Sequence, residues 1–195
     1  MNKAPLRIGV LGSGKGSNFE AIVRAIRSGN LNAAITLVLS DNPNARILEA
    51  ARSLGIPSNA LPASSFRTKL EPEIETLAAN QLADSGAELI VLAGYMRLIK
   101  APLLNRFPNR IVNIHPSLLP AFPGLDAWKQ ALEANAPTTG CTVHWVDSGM
   151  DTGQIIAQAS VPVLQNDTPE TLHARIQKAE YQLYPEALSK IAAAR

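Results

Sequence analysis

Three polar side chains in the second half of the chain are of the types that acyl and proton transfer require: Asn113, His115 and Asp151. Asn113 and His115 stand two residues apart in the alternating apolar segment Ile111–His115, which stops abruptly at Pro116, so on a strand both side chains point the same way. An amide N–H can hold a developing oxyanion, and an imidazole can carry a proton near neutral pH. Asp151 lies in a second polar turn, Asp147–Gly153, and a carboxylate beside the imidazole would orient it and favour its charged form. A separate constellation, GSGKGSN from Gly12 to Asn18, follows a short apolar segment. Its glycines let backbone N–H groups turn toward an anion, and a following helix adds partial positive charge, so a phosphate is the natural ligand. The lysine precedes the last glycine and the third glycine comes one residue early, so the loop is neither a Walker loop nor GxGxxG.

The remaining candidates read as structural. His144 alternates with Thr142 and Val146 and is expected to be a packed, hydrogen-bonded histidine, whereas His173 falls in the last helix and is expected at the surface. Cys141 reads as a small buried hydrophobe, and Trp128 and Trp145 as core or cleft wall. One cysteine and three histidines offer no metal-ligand spacing, so no metal is expected. With 18 Lys plus Arg against 16 Asp plus Glu and no dense basic run, nucleic acid is not an expected partner. The longest apolar stretch, Leu89–Met96, is far short of the roughly 18 to 20 residues of a membrane span. The N-terminal segment does not read as a signal peptide, which places the protein in the cytoplasm.

These groups need a frame. Leu6–Leu11 reads as a buried strand entering the glycine loop, and Phe19, Ile22, Val23 and Ile26 follow a helical period. The unit repeats with a strand over Ala34–Leu39 and a helix through Ile47, Leu48, Ala51 and Leu54. A short strand near Ala60 and a helix through Ile74, Leu77, Ala78 and Leu82 follow, with Pro72 in its first turn. Leu89–Ala93, apolar at every position, reads as a strand covered on both faces. A short helical piece near Leu103–Phe107, strands over Ile111–His115, Thr142–Val146 and Ile155–Val163, and a long helix opening at Thr168 complete the chain. Alternating strands and helices over 195 residues predict one α/β domain with a doubly wound, mostly parallel sheet and helices on both faces. In such a sheet ligands bind beyond the carboxyl ends of the strands, where the glycine loop and His115 both fall.

Taken together, GSGKGSNFEAI at 12–22, LAGYMRLI at 92–99, IVNIHPSLLPAFPG at 111–124 and MDTGQII at 150–156 resemble the 10-formyltetrahydrofolate-dependent formyltransferase family, and within it the phosphoribosylglycinamide formyltransferases of purine synthesis. The resemblance covers essentially the whole chain, in the family's order. It implies a catalytic trio of Asn113, His115 and Asp151, and a ribose-phosphate site at Gly14, Lys15, Gly16, Ser17 and Asn18, with Gln177 and Glu180 reaching the ribonucleotide. It also implies a folate pocket lined by Met96, Arg97, Leu98 and Ile99 with Asn113 and Val146. The implied small molecules are glycinamide ribonucleotide and 10-formyltetrahydrofolate, a reduced folate, handled by a monomer or homodimer. A nucleotide-phosphate half over about 1–100 and a folate and catalytic half over about 101–195 are expected. Asp126 and Trp128 stand where the resemblance leads one to expect histidines, and no terminal strand is expected after the last helix.

The chemistry so implied is direct attack of an amine on a formyl carbon, with Asn113 and a protonated His115 facing the oxyanion and Asp151 assisting the proton transfer. A bulkier residue at Gly16 should obstruct the phosphate. Two other readings stay open at this point. A formyltetrahydrofolate hydrolase would use the same trio on water, and a dinucleotide-binding module would use the glycine loop with Asp41 as ribose ligand.

Overall fold

The computed structural model describes residues 3–195. The first half of the chain is built from strand-helix units: β1 (Leu6–Leu11), α1 (Ser17–Arg27), β2 (Ala33–Ser40), α2 (Arg46–Ser53), β3 (Ser58–Ala60), α3 (Pro72–Asp84) and β4 (Leu89–Leu92). The second half adds α4 (Ala101–Arg106), β5 (Ile111–His115), α5 (Ala127–Glu133), β6 (Thr138–Trp145), β7 (Ile155–Pro162) and α6 (Pro169–Ala193). All seven strands join one sheet in the order β3-β2-β1-β4-β5-β6-β7. The first five in that order are parallel, while β6 runs antiparallel to both β5 and β7.

Alternation along the central strands divides the core into two layers. Ile8, Val10, Leu89 and Val91 pack under α1, α2 and α6, against Phe19, Ile22, Leu48 and Leu172. Leu11, Ile90 and Leu92 pack on the opposite face against Ala78 and Leu82 of α3 and Leu103 of α4. This is why β4 is apolar at every position: each face of the sheet is covered by helices. The doubly wound arrangement predicted from the sequence is therefore observed. The last helix is started by Thr168, whose hydroxyl accepts from the Thr171 N–H in a reciprocal cap, with Pro169 in the first turn. It is fixed to the sheet by the fully buried Tyr184, whose hydroxyl lies 3.0 Å from the Leu92 carbonyl and 3.1 Å from that of Val112.

Strand order reverses between β1 and β4, so the loops leaving their carboxyl ends diverge and open a crevice there. The glycine loop leaves β1, Gly94 follows β4, and His115 ends β5 at the same edge. Two features differ from the sequence expectation. The short helix α5 forms within a segment that carries no clear helical period, and β6 begins at Thr138 rather than Thr142. The first and last described residues meet on the far side of the molecule: the Lys3 ammonium donates to the Ala193 carbonyl at 2.9 Å and the Arg195 guanidinium to that of Ala4 at 2.7 Å.

Candidate active site

Antiparallel pairing sets Asn113 opposite His144, and the β6–β7 turn folds Asp151 back over the end of β5. That turn closes tightly, since a Cβ at Gly153 would sit 1.7 Å from the Trp145 carbonyl oxygen. Asp151 itself adopts a left-handed backbone, φ 56°, which aims its carboxylate inward. One carboxylate oxygen, Oδ2, lies 3.4 Å from Nδ1 of His115 and accepts the Gly124 N–H at 2.9 Å. The other, Oδ1, lies 3.6 Å from Nε2 of His144. His115 is buried, and its Nε2 is 2.8 Å from the Phe122 carbonyl, an acceptor, so that nitrogen carries a proton.

His144 is packed and hydrogen-bonded as its sequence position suggests, but its partners belong to the site. Its Nδ1 is 2.9 Å from the Trp145 carbonyl, which fixes the proton there and leaves Nε2 as an acceptor for the Asn113 amide at 3.3 Å. Burial holds its pKa below the ordinary histidine value, against the pull of the Trp145 carbonyl and Asp151. A neutral imidazole thus orients the Asn113 amide, which makes His144 a positioning residue that the alternation pattern alone did not reveal. Only the cross-strand register exposes it.

The residues expected to hold a phosphate fall at and just before the start of α1. Gly16, at φ 83°, is the N-cap and supplies no side chain to the first turn, so that turn's N–H groups have no side-chain partner from the cap. A Cβ at Gly16 would meet Ile47 at 3.0 Å and stand on a left-handed backbone, so a substitution there also damages the packing of α1 on α2. At Gly14 a Cβ meets nothing within 4 Å. Gly14 is therefore the position that tests backbone approach without a packing defect. Asn18 is buried and donates to Glu180 at 3.0 Å, while its own carbonyl oxygen has no protein partner. Gln177, half-buried one turn before Glu180, lies on the same side of α6. Glu180, from the last helix, is thereby bonded to the start of α1.

Burial raises the Glu180 carboxyl from 4.5 to about 7, against the opposing hydrogen bond from Asn18. Its proton is kept in the folded state up to about 7 and released near 4.5 in the unfolded chain. The stability it contributes is therefore complete below about 4.5 and lost as pH rises through about 7. Glu180→Gln, which does not titrate, will become more stable relative to the native chain between about pH 5 and about pH 8, measured by urea unfolding. An unchanged difference across that range would show that Glu180 titrates normally.

Between the trio and the loop over residues 94–99 a cleft of about 330 Å³ opens, and Met96, Arg97, Leu98, Ile99, Asn113 and Val146 all line it. Met96, Leu125 and Met150 are exposed at its rim, an apolar frame suited to a flat ring system. Its wall is tied to the cradle through Asp41. Ser13 donates to one Asp41 oxygen at 2.6 Å and the Arg97 Nε to the other at 2.5 Å, while the Met96 N–H donates to the Ser13 hydroxyl at 2.9 Å. Both Asp41 oxygens are thus engaged in fixing the loop after β1 to the cleft wall. Among the described residues no cluster of His, Cys, Asp and Glu could hold a metal ion, and no helix is long and apolar enough to cross a membrane.

The formyl transferase family model matches residues 6–188. A phosphoribosylglycinamide formyltransferase of Bacillus subtilis (strain 168) is 45% identical over 185 residues, which are 95% of this chain and 94% of that one. The crystal structure of glycinamide ribonucleotide transformylase 1 from Symbiobacterium toebii is similar at a TM-score of 0.94 and 46% identity, covering 100% of this chain and 91% of that chain. The trifunctional purine biosynthetic protein adenosine-3 of Drosophila melanogaster is 43% identical over 187 residues, 95% of this chain but 14% of its own length. By this agreement of sequence and fold from end to end, the chain belongs to the formyl transferase family, among its phosphoribosylglycinamide formyltransferases.

Proposed function

We propose that this chain transfers the formyl group of 10-formyltetrahydrofolate to the primary amine of glycinamide ribonucleotide, a step of purine synthesis, in the cytoplasm and as a single domain. The observation that carries this reading is convergence: Asn113, His115 and Asp151 meet at the mouth of an apolar-rimmed cleft whose wall is bonded to the glycine cradle. The cradle, Gly14, Lys15, Gly16, Ser17 and Asn18, holds the phosphate, and Gln177 and Glu180 reach the ribose. Asn18 supports this assignment, since a buried acceptor without a protein partner suits a hydroxyl donor from a ligand. Met96, Arg97, Leu98, Ile99 and Val146 flank the reduced folate, which is consumed as a substrate.

The amine attacks the formyl carbon, so a carbon–nitrogen bond forms as the bond to the folate nitrogen breaks. The attacking nitrogen loses one proton and the departing nitrogen gains one, and the enzyme ends unchanged. In between, the formyl oxygen carries negative charge. Asn113, held by His144, presents an amide N–H to it, and His115 lies on the same side of β5. Asp151 faces His115 and is placed to relay the proton between the two nitrogens. No side-chain nucleophile is required, in keeping with a buried Cys141 whose thiol burial pushes up to about 12.

The test is release of tetrahydrofolate from 10-formyltetrahydrofolate with and without glycinamide ribonucleotide. Release will depend on the ribonucleotide; free formate produced without it would indicate a hydrolase instead. In the same assay Gly14→Ala will raise the ribonucleotide KM by about tenfold with little change in kcat, because the methyl enters the space the phosphate occupies. An unchanged KM would remove the phosphate from that loop.

A further inference from the structure

Trp128 and His173 lie ring on ring, with centroids 3.7 Å apart and planes 4° from parallel. Neither takes part in the chemistry above, and neither pairing partner was expected: His173 is half-buried under the indole instead of standing at the surface. Trp128 is the second residue of α5 and borders the cleft. His173 precedes Gln177 by four residues and Glu180 by seven, so all three share one face of α6. That face follows the cradle: Glu180 is bonded to Asn18, and His173 lies within electrostatic reach of Lys15.

The charged groups bearing on the imidazole are Asp126, at the start of α5, and Lys15, in the cradle. Lys129 is turned onto Asp126 at 3.0 Å, and Glu170, earlier on α6, lies toward Lys129. Burial and Lys15 disfavour the imidazolium, while Asp126 favours it. A phosphate beside Lys15 offsets the repulsion from that ammonium, and an imidazolium resting on an indole face gains cation–π attraction.

We propose that the Trp128–His173 stack is a specificity-determining element for the ribonucleotide: the indole holds the imidazole near Lys15, where a bound phosphate draws a proton onto it and so gains another cation. This rests on the phosphate lying in the Gly14–Asn18 cradle. Binding and protonation are then linked, and ribonucleotide affinity rises as pH falls through the range in which His173 titrates. His173 acts in ribonucleotide binding and does not touch the reacting atoms.

Titration calorimetry of the full chain with glycinamide ribonucleotide, in two buffers of different ionisation heat, tests the linkage. Near pH 7, above the phosphate's own titration at about pH 6, the native chain will take up protons on binding and His173→Gln will take up measurably fewer. The affinity of His173→Gln will be weaker by about threefold to fivefold near pH 7 and nearly native at about pH 8.5, the size expected of one solvent-screened charge pair. Trp128→Phe, which keeps a ring against His173, will retain most of the proton uptake, and Trp128→Ala will lose it. Equal proton uptake in the native chain and His173→Gln, or an affinity loss that does not change with pH, would overturn the proposal. Should Trp128→Ala fail to fold, His173→Gln and Trp128→Phe decide the matter. If the native chain bound the dephosphorylated substrate as tightly as the ribonucleotide, the cradle assignment itself would fall. A preserved preference for the phosphate with unaltered proton uptake in His173→Gln would sink the stack alone.

Discussion

Asp151→Asn will lower kcat by about two to four orders of magnitude, the range typical of a lost proton-transfer group, and leave the ribonucleotide KM nearly unchanged. The substitution is chosen for its backbone. Asp151 sits at φ 56°, a left-handed conformation that asparagine tolerates better than other side chains do. The turn will therefore keep its path, and the defect will be chemical. An amide cannot accept a proton from the attacking amine, and it cannot supply the negative charge that faces Nδ1 of His115. Single-turnover rates with both substrates saturating will isolate the step. Near-native turnover would exclude Asp151 from the reaction and leave it a turn residue that anchors Gly124.

Asn113→Ala will cost about two to three orders of magnitude in kcat, as removal of an oxyanion donor does. The amide is fixed on one side by the unprotonated Nε2 of His144, so its orientation is set before substrate arrives. Preorganised donors of this kind act on charge that appears only in the transition state, so kcat and kcat/KM will fall together. A variant whose KM for the folate rises while kcat holds would show that Asn113 serves binding alone. His144→Leu separates the two roles: it leaves the Asn113 amide in place but unheld.

Most of this arrangement is visible in the residues because the parallel half of the sheet is written in local patterns. Continuous apolar runs such as Leu89–Leu92, ended by glycine or by His115-Pro116, mark both a strand covered on two faces and the edge where its loops leave. The glycine spacing marks the turn from β1 into α1 for a reason that needs no partner strand. Other features depend on contacts between distant segments. The role of His144 follows from antiparallel register with Asn113, 31 residues away, and nothing local distinguishes it from a buried structural histidine. The cradle's last member is supplied across 162 residues by Glu180, which periodicity places on a helix face without naming what that face meets. Helix α5 escapes notice because its seven residues are too few to establish a period, and its stack with His173 is a purely tertiary event. At Gly16 the residue type is legible, but its close neighbour Ile47 is a tertiary contact that local pattern does not name.

The meeting of Lys3 with Ala193 and of Ala4 with Arg195 bears on how such a unit travels among larger polypeptides. A module whose two ends leave side by side, behind the sheet and away from its reactive rim, can be spliced into a longer chain without stretching a strand or crossing the substrate entrance. The Drosophila trifunctional protein devotes 14% of its length to a stretch like this one. Fusion at either terminus, or insertion through both, is a perturbation this architecture is built to absorb.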